Sequence, residues 1–294
     1  KYPHETPYGF CSNNPIIYMD PDGREKIIVI GGGDITGKDP NKFINAGLLQ
    51  MQNYLEANPN SEPITLVVTD KFVEAKVYEQ LQEWAQAKGI AYQVPVTVVK
   101  AASGDEVTNY LNSKSTTSGI VNSARQGDQI TDLSFFGHGY SFLCSSQGGV
   151  DCFEPGHGTE GEGMTANPST RPEHNKWAWG VEDINKLAYT AFAKNANVDF
   201  YNCNPGTPNA NGVSLISTMS NKFTSLNISG FWGRSDYAHI YDGMNSIEKF
   251  QKWLNGGIFP SKNLPIGGQK SGGAAGTGAS EKVQYKGGKS VPSF

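Results

Sequence analysis

Short, unbroken apolar runs alternate with amphipathic stretches along this chain from Glu25 to Gly257. KIIVIGG, ITLVVT, VPVTVVKA, TDLSFFGHG, VDFYNC and LNISGFWG are each rich in Val, Ile, Leu, Phe or Tyr and are bounded by turn formers. Runs of this kind read as strands buried on both faces, the pattern of a parallel sheet. Between them, residues 41–57 place Phe43, Ala46, Leu48, Leu49, Tyr54 and Leu55 near one helical face, and residues 72–88 do the same with Val73, Val77, Leu81 and Trp84. Residues 104–125, 181–195, 212–223 and 246–257 also read as helical. Strands alternating with helices imply βαβ units. The expected fold class is α/β: a three-layer sandwich with a mostly parallel six-stranded sheet and helices on both faces.

Three segments fall outside the alternation. Residues 1–24 (KYPHETPYGFCSNNPIIYMDPDGR) are dense in Pro, Asn, Asp and Gly, and Tyr8, Phe10, Ile16, Ile17 and Tyr18 follow no helical period. This stretch could not pack alone and reads as the last strip of a larger β structure. The chain begins with Lys1, as expected of a piece of a longer protein. Residues 140–176 form a long insertion of Gly, Pro and polar residues, and such loops inside a domain are usually functional or disordered. Residues 261–294 are poor in apolar side chains and rich in Gly, Ser and Lys, the composition of a flexible tail. Residues 25–260 are left as one domain with room for a sizeable core.

Charge narrows the function classes. The formal net charge is −4, and the tail holds five lysines against one glutamate, so the body is more acidic than the total. A direct nucleic-acid binder normally presents a basic face, which argues against a nucleic-acid partner. No run approaches the ~20 apolar residues of a membrane-spanning helix. Cys11, Cys144, Cys152 and Cys203 are too sparse for a disulfide scaffold and match no zinc-finger spacing.

Two residues stand out by position. His138 directly follows the apolar run LSFF and lies between Gly137 and Gly139. Cys203 directly follows VDFY and precedes Asn204-Pro205-Gly206. Ligands of open α/β sheets bind outside the carboxyl ends of the strands. If these two strands are neighbours, imidazole and thiol emerge side by side. A nearby imidazole raises the thiolate fraction of a cysteine. Gly139 would let a carbonyl approach closely, and the backbone N–H groups of Gly139 and Cys203 can face a developing oxyanion. Taken singly, such a histidine is usually structural and such a cysteine a small buried apolar residue. It is their pairing at strand ends that points to chemistry.

The order strand–His-Gly, helix, strand–Cys resembles the caspase-like clan of cysteine peptidases, which includes caspases, metacaspases, gingipains and separases. SFFGHG resembles the clan's histidine element. FYNCNPG resembles its cysteine element, with Gly206 three residues on as in metacaspases. The resemblance covers residues 25–257 and implies a caspase-like sandwich with Cys203 as nucleophile and His138 as proton carrier, needing no metal or other cofactor. It also implies a specificity pocket near the strand after the cysteine. There, Asp236 would favour a basic residue before the scissile bond and Arg234 an acidic one, unless both are simply surface charges in a turn.

The opening strip carries a second resemblance. Asn13-Asn14-Pro15 followed by Asp20-Pro21-Asp22-Gly23-Arg24 resembles the end of the RHS-associated core of polymorphic toxins, in which a β shell encloses a variable C-terminal effector. This implies a toxin domain secreted or delivered into a target cell. It further implies a protein or peptide substrate, a cognate immunity protein and the RHS shell of the parent chain as partners.

Other features compete with this reading. Gly156-His157-Gly158 is a second His-Gly pair, but no apolar strand precedes it. Cys144 and Cys152 could form a disulfide, or join His157 and His174 around zinc, although the spacings match no familiar zinc pattern. Gly31-Gly32-Gly33-Asp34 follows the first strand without the rest of a phosphate-loop motif and reads as a tight turn. Glu182 and Asp183 suit the first turn of a helix. Two alternatives from other classes stay open: a nuclease or nucleotide-directed enzyme on an α/β fold, and a catalytically inactive binding module.

Overall fold

The structure, a computed structural model, describes residues 24–31, 39–57, 62–69, 75–114, 128–140, 152–154, 179–203, 205–206, 213–268 and 281–291. The elements run β1 (Arg24–Ile30), α1 (Lys42–Ala57), β2 (Ile64–Thr69), α2 (Ala75–Tyr92), β3 (Val96–Ala101), α3 (Gly104–Ser113), β4 (Gln129–Phe136), β5 (His138–Tyr140) and β6 (Cys152–Glu154). They continue with α4 (Val181–Lys186), a 3₁₀ turn at Tyr189–Ala191, β7 (Phe192–Phe200), α5 (Leu215–Lys222), β8 (Asn227–Trp232), β9 (Ser235–Asp236), α6 (Ser246–Leu254), β10 (Ile266–Gly267), β11 (Glu281–Lys286) and β12 (Lys289–Val291).

The fold is α/β, with a mostly parallel central sheet flanked by helices. The sheet order is β12-β11-β8-β7-β4-β1-β2-β3. The strands from β8 to β3 are all parallel to their neighbours. The last two, β11 and β12, add antiparallel at the β8 edge. The expected six-stranded sheet is therefore an eight-stranded mixed one.

Alternate residues of each inner strand feed opposite cores, which is why the runs are apolar throughout. Ile28, Ile30, Leu66, Val68 and Phe136 pack with Phe43, Leu48 and Met51 of α1 and Leu81 of α2. Ile27, Val29, Val67, Phe135 and Phe200 pack on the other side with Leu111 of α3, Ile184 of α4 and Met219 of α5. Cross-strand ring pairs tie β4 to the β7 end on both faces. Phe135 stacks on Phe200 and Phe136 on Tyr201, each pair with centroids 4.7 Å apart.

Two expectations are corrected by contacts from distant residues. The helix expected over 181–195 stops at Lys186. Asn112 of α3 reaches across and ends it, donating to Lys186 O at 3.1 Å and accepting from Ala188 N at 2.8 Å. The chain then enters β7 at Phe192, well before the apolar run VDFY. Within the stretch read as a flexible tail, β10 and the hairpin β11–β12 are ordered strands. Val283 and Tyr285 lean on the core from β11, with Gln284 between them and Lys282 and Lys286 to either side, while β12 forms the sheet edge.

Other boundaries move by small amounts. Arg24, assigned to the opening strip, is the first residue of β1. The helix expected over 104–125 runs from Gly104 to Ser113. Residues 1–23, the Gly32-Gly33-Asp34 turn, Cys144, His157 and His174 lie outside the described residues. Of the 140–176 insertion, Cys152–Glu154 pairs antiparallel with His138–Tyr140.

Candidate active site

The strands carrying His138 and Cys203 are neighbours. β4 and β7 pair in parallel register up to Phe135 and Phe200, and Tyr201 N bonds back to Phe135 O at 2.9 Å. Just beyond, both chains leave the ladder at the carboxyl edge of the sheet, where an open α/β fold collects its ligands. Gly137-His138-Gly139 leaves β4, and Tyr201-Asn202-Cys203 leaves β7.

The two turns touch backbone to backbone. A Cβ built on Gly139 would overlap the Cys203 carbonyl oxygen and would lie 2.9 Å from both the Cys203 carbonyl carbon and Asn202 Nδ2. Only glycine permits this approach. It brings His138 and Cys203, the two residues singled out in the sequence, to the same place.

Each side chain has its own wall. The His138 ring meets the Phe43 ring edge-on, with centroids 4.8 Å apart, and its Nε2 is closed off from solvent. Cys203 is a half-buried free thiol. Its Sγ lies 3.4 Å from Ser235 Oγ and 3.8 Å from Ser235 O. A third strand end therefore joins the site, since Ser235 follows β8 and opens β9. Tyr237, two residues on, meets the other side of the cluster: its ring is also 4.8 Å from Phe43, edge-on. Burial first, and then the nearby Cys203 side chain, pushes its hydroxyl well above the ordinary phenol range. It stays protonated and can donate throughout the neutral range.

The proposed pocket residues flank Ser235 without sharing its contact. Asp236 turns its carboxylate into the following turn, accepting from Ala238 N at 2.6 Å and lying 3.5 Å from His239 Nε2. Arg234 is exposed, and its carbonyl accepts from Gly268 N at 2.9 Å. The backbone of β9 is thus paired on one side by β10, while Ser235 O faces the thiol.

The Cys203 turn is braced from behind. A Cβ on Gly206 would come within 2.6 Å of Val283 Cγ2 and 3.2 Å of Phe231 O, so the glycine after the cysteine answers to the packing of β8 and β11.

Sequence reasoning missed four residues of this cluster: Phe43, Asn202, Ser235 and Tyr237. Asn202 is fully buried, and neither atom of its side-chain amide has a hydrogen-bond partner among the described residues. The available signal was positional. GRSDY follows a strand end as GHG and NCN do, and the rule that strand ends converge applies to all three.

Among the described residues, no cluster of His, Cys, Asp and Glu is placed to hold a metal ion, and no helix is long and apolar enough to cross a membrane. Comparison of the chain with protein-family models, with curated proteins and with solved structures finds no match.

Proposed function

We propose that residues 25–260 are a cysteine peptidase domain of the caspase-like kind, acting as the effector of an RHS toxin on a protein in a recipient cell. The observation that supports this reading above others is the backbone contact of Gly139 with Cys203, which brings the histidine turn against the cysteine turn. In this reading the Cys203 sulfur, as thiolate, attacks the scissile carbonyl carbon and forms a tetrahedral oxyanion. The backbone N–H groups of Gly139 and Cys203 face that oxyanion. Protonated His138 gives its proton to the leaving amine as the C–N bond breaks, leaving a thioester on Cys203. Water, deprotonated by His138, hydrolyses the thioester and restores the thiol. The substrate is an extended peptide whose residue before the scissile bond lies along Ser235. The toxin context rests on the opening strip and carries with it a cognate immunity protein and the parent shell.

Labelling with a thiol-reactive peptide probe tests the dyad. Cys203 is the modified residue, and His138→Ala lowers labelling by about a hundredfold or more. Cys203→Ala abolishes killing of a recipient cell at equal expression. Metal-dependent activity that survives Cys203→Ala would overturn the peptidase and favour a nuclease or nucleotide-directed enzyme.

A further inference from the structure

We propose that Ser235 is a further catalytic residue, its hydroxyl donating to the Cys203 thiolate that attacks the substrate, a role that rests on the Cys203–His138 reading above. Both oxygens of this residue lie against the sulfur. Sγ is 3.4 Å from Ser235 Oγ and 3.8 Å from Ser235 O. The two contacts respond differently to ionisation. A thiol can donate its proton to the carbonyl, whereas a thiolate has no proton to give and only accepts. The carbonyl contact therefore belongs to the resting thiol. The hydroxyl contact survives ionisation and strengthens once its acceptor is charged. When the Cys203 proton passes to His138, the sulfur keeps the electron pair and accepts the Ser235 O–H. The same pair then forms the bond to the scissile carbonyl carbon, and Ser235 keeps its own proton throughout.

The surroundings fix this geometry. Ser235 opens β9, which pairs with β10 through Gly267 opposite Ser235 and Ile266 opposite Asp236. Two residues after Ser235, the Tyr237 hydroxyl donates to Tyr201 O at 2.9 Å. Tyr201 stands two residues before Cys203. One hydrogen bond thus ties the serine strand to the cysteine turn, at the same distance along the chain from the oxygen as from the sulfur. The Tyr237 ring packs edge-on against Phe43, so the tie has a wall behind it. The next residue along β9 does not compete for the sulfur, because Asp236 turns its carboxylate to Ala238 N at 2.6 Å. Ser235 and Cys203 are both half-buried. Water is partly excluded there, and a hydrogen bond to a charge counts for more than in bulk solvent.

The test measures alkylation of Cys203 by iodoacetamide, located by peptide mapping, in wild type, Ser235→Ala, Ser235→Thr and His138→Ala. Ser235→Ala removes only the side-chain oxygen, and Ser235→Thr keeps a hydroxyl. At neutral pH the Ser235→Ala rate is expected about tenfold below wild type, the loss of one hydrogen bond to a charged group, with Ser235→Thr within about threefold of wild type. At about pH 10, where an ordinary thiol ionises without help, wild type and Ser235→Ala react within about twofold of each other. With a cleavable peptide at neutral pH, Ser235→Ala lowers kcat and leaves KM within about twofold. A wild-type rate at neutral pH that His138→Ala leaves unchanged would remove the dyad, and with it the proton transfer that leaves a thiolate facing Ser235. A His138-dependent wild-type rate that Ser235→Ala leaves unchanged at neutral pH, or lowers equally at both pH values, would leave the dyad standing and overturn the role of the hydroxyl.

Discussion

One methyl group at Gly139 would separate the two turns of the candidate site. The obstacle it meets is a peptide carbonyl, which cannot rotate away as a side chain could. Gly139→Ala is therefore expected to lower Cys203 labelling by about a hundredfold, as a misplacement on the order of 1 Å does at a reacting pair. The protein stays folded by circular dichroism, because the strain falls on two turns outside the ladder. Unchanged labelling in that variant would mean that the turns are not held together. At this scale the sequence is informative where chemistry depends on residue type next to a strand end. GHG and NCN carry that signal openly. Tyr237 does not, since a tyrosine two residues past a short loop has no distinctive spacing, and its partners Tyr201 and Phe43 come from distant parts of the chain.

The α4 element makes a prediction that no single contact would. Asp183 sits in its first turn, half of the acidic pair that marked a helix start, and accepts from Gly180 N at 2.9 Å. It is also packed under Thr108 and near Trp179, whose indole N–H donates to the same Thr108 hydroxyl. Burial dominates the balance and raises its carboxyl to about 6. The native state then holds this proton more tightly than the unfolded chain. The stabilisation is full below the ordinary carboxylate range and is lost as the pH climbs through about 6. Wild-type melting temperature should fall across that interval relative to Asp183→Asn, which cannot titrate; parallel curves in thermal melts would contradict it. Elements also show where periodicity stops being enough. The 3.6-residue pattern over 246–257 announces a helix, and α6 forms. It docks through its polar side, with Glu248 on Lys262 at 2.5 Å and Lys252 on Asp39 at 3.0 Å. Ile247 and Trp253, 70% and 72% exposed, face outward. An amphipathic pattern tells that two faces differ, and the rest of the molecule decides which one turns inward. The short α4 carries the same lesson, because its end is set by Asn112 from another helix.

For the molecule as a whole, the inner strands were legible and the edge was not. β1, β2, β4 and β8 are buried on both faces and announce themselves as apolar runs. By contrast β11 puts only Val283 and Tyr285 on the core, between lysines and a glutamine, and its pattern is lost among glycines and serines. Its absence should nonetheless be felt. Removing residues 281–294 uncovers β8, frees Lys282 from Asp199 at 2.9 Å and takes Val283 from behind Gly206. Such a chain should melt at least about 5 °C lower and lose His138-dependent labelling of Cys203, as calorimetry and the peptide probe would report. An intact melting temperature would demote the hairpin to an ornament of the edge. The hairpin also has a meaning in time. It lies far downstream of the strands it completes, and pairings between distant segments form late. As the chain leaves the ribosome, both strands of the candidate site emerge well before the strand that braces the cysteine turn. A nascent chain therefore carries the thiol and the imidazole for some eighty residues of further synthesis before β11 can pack behind Gly206.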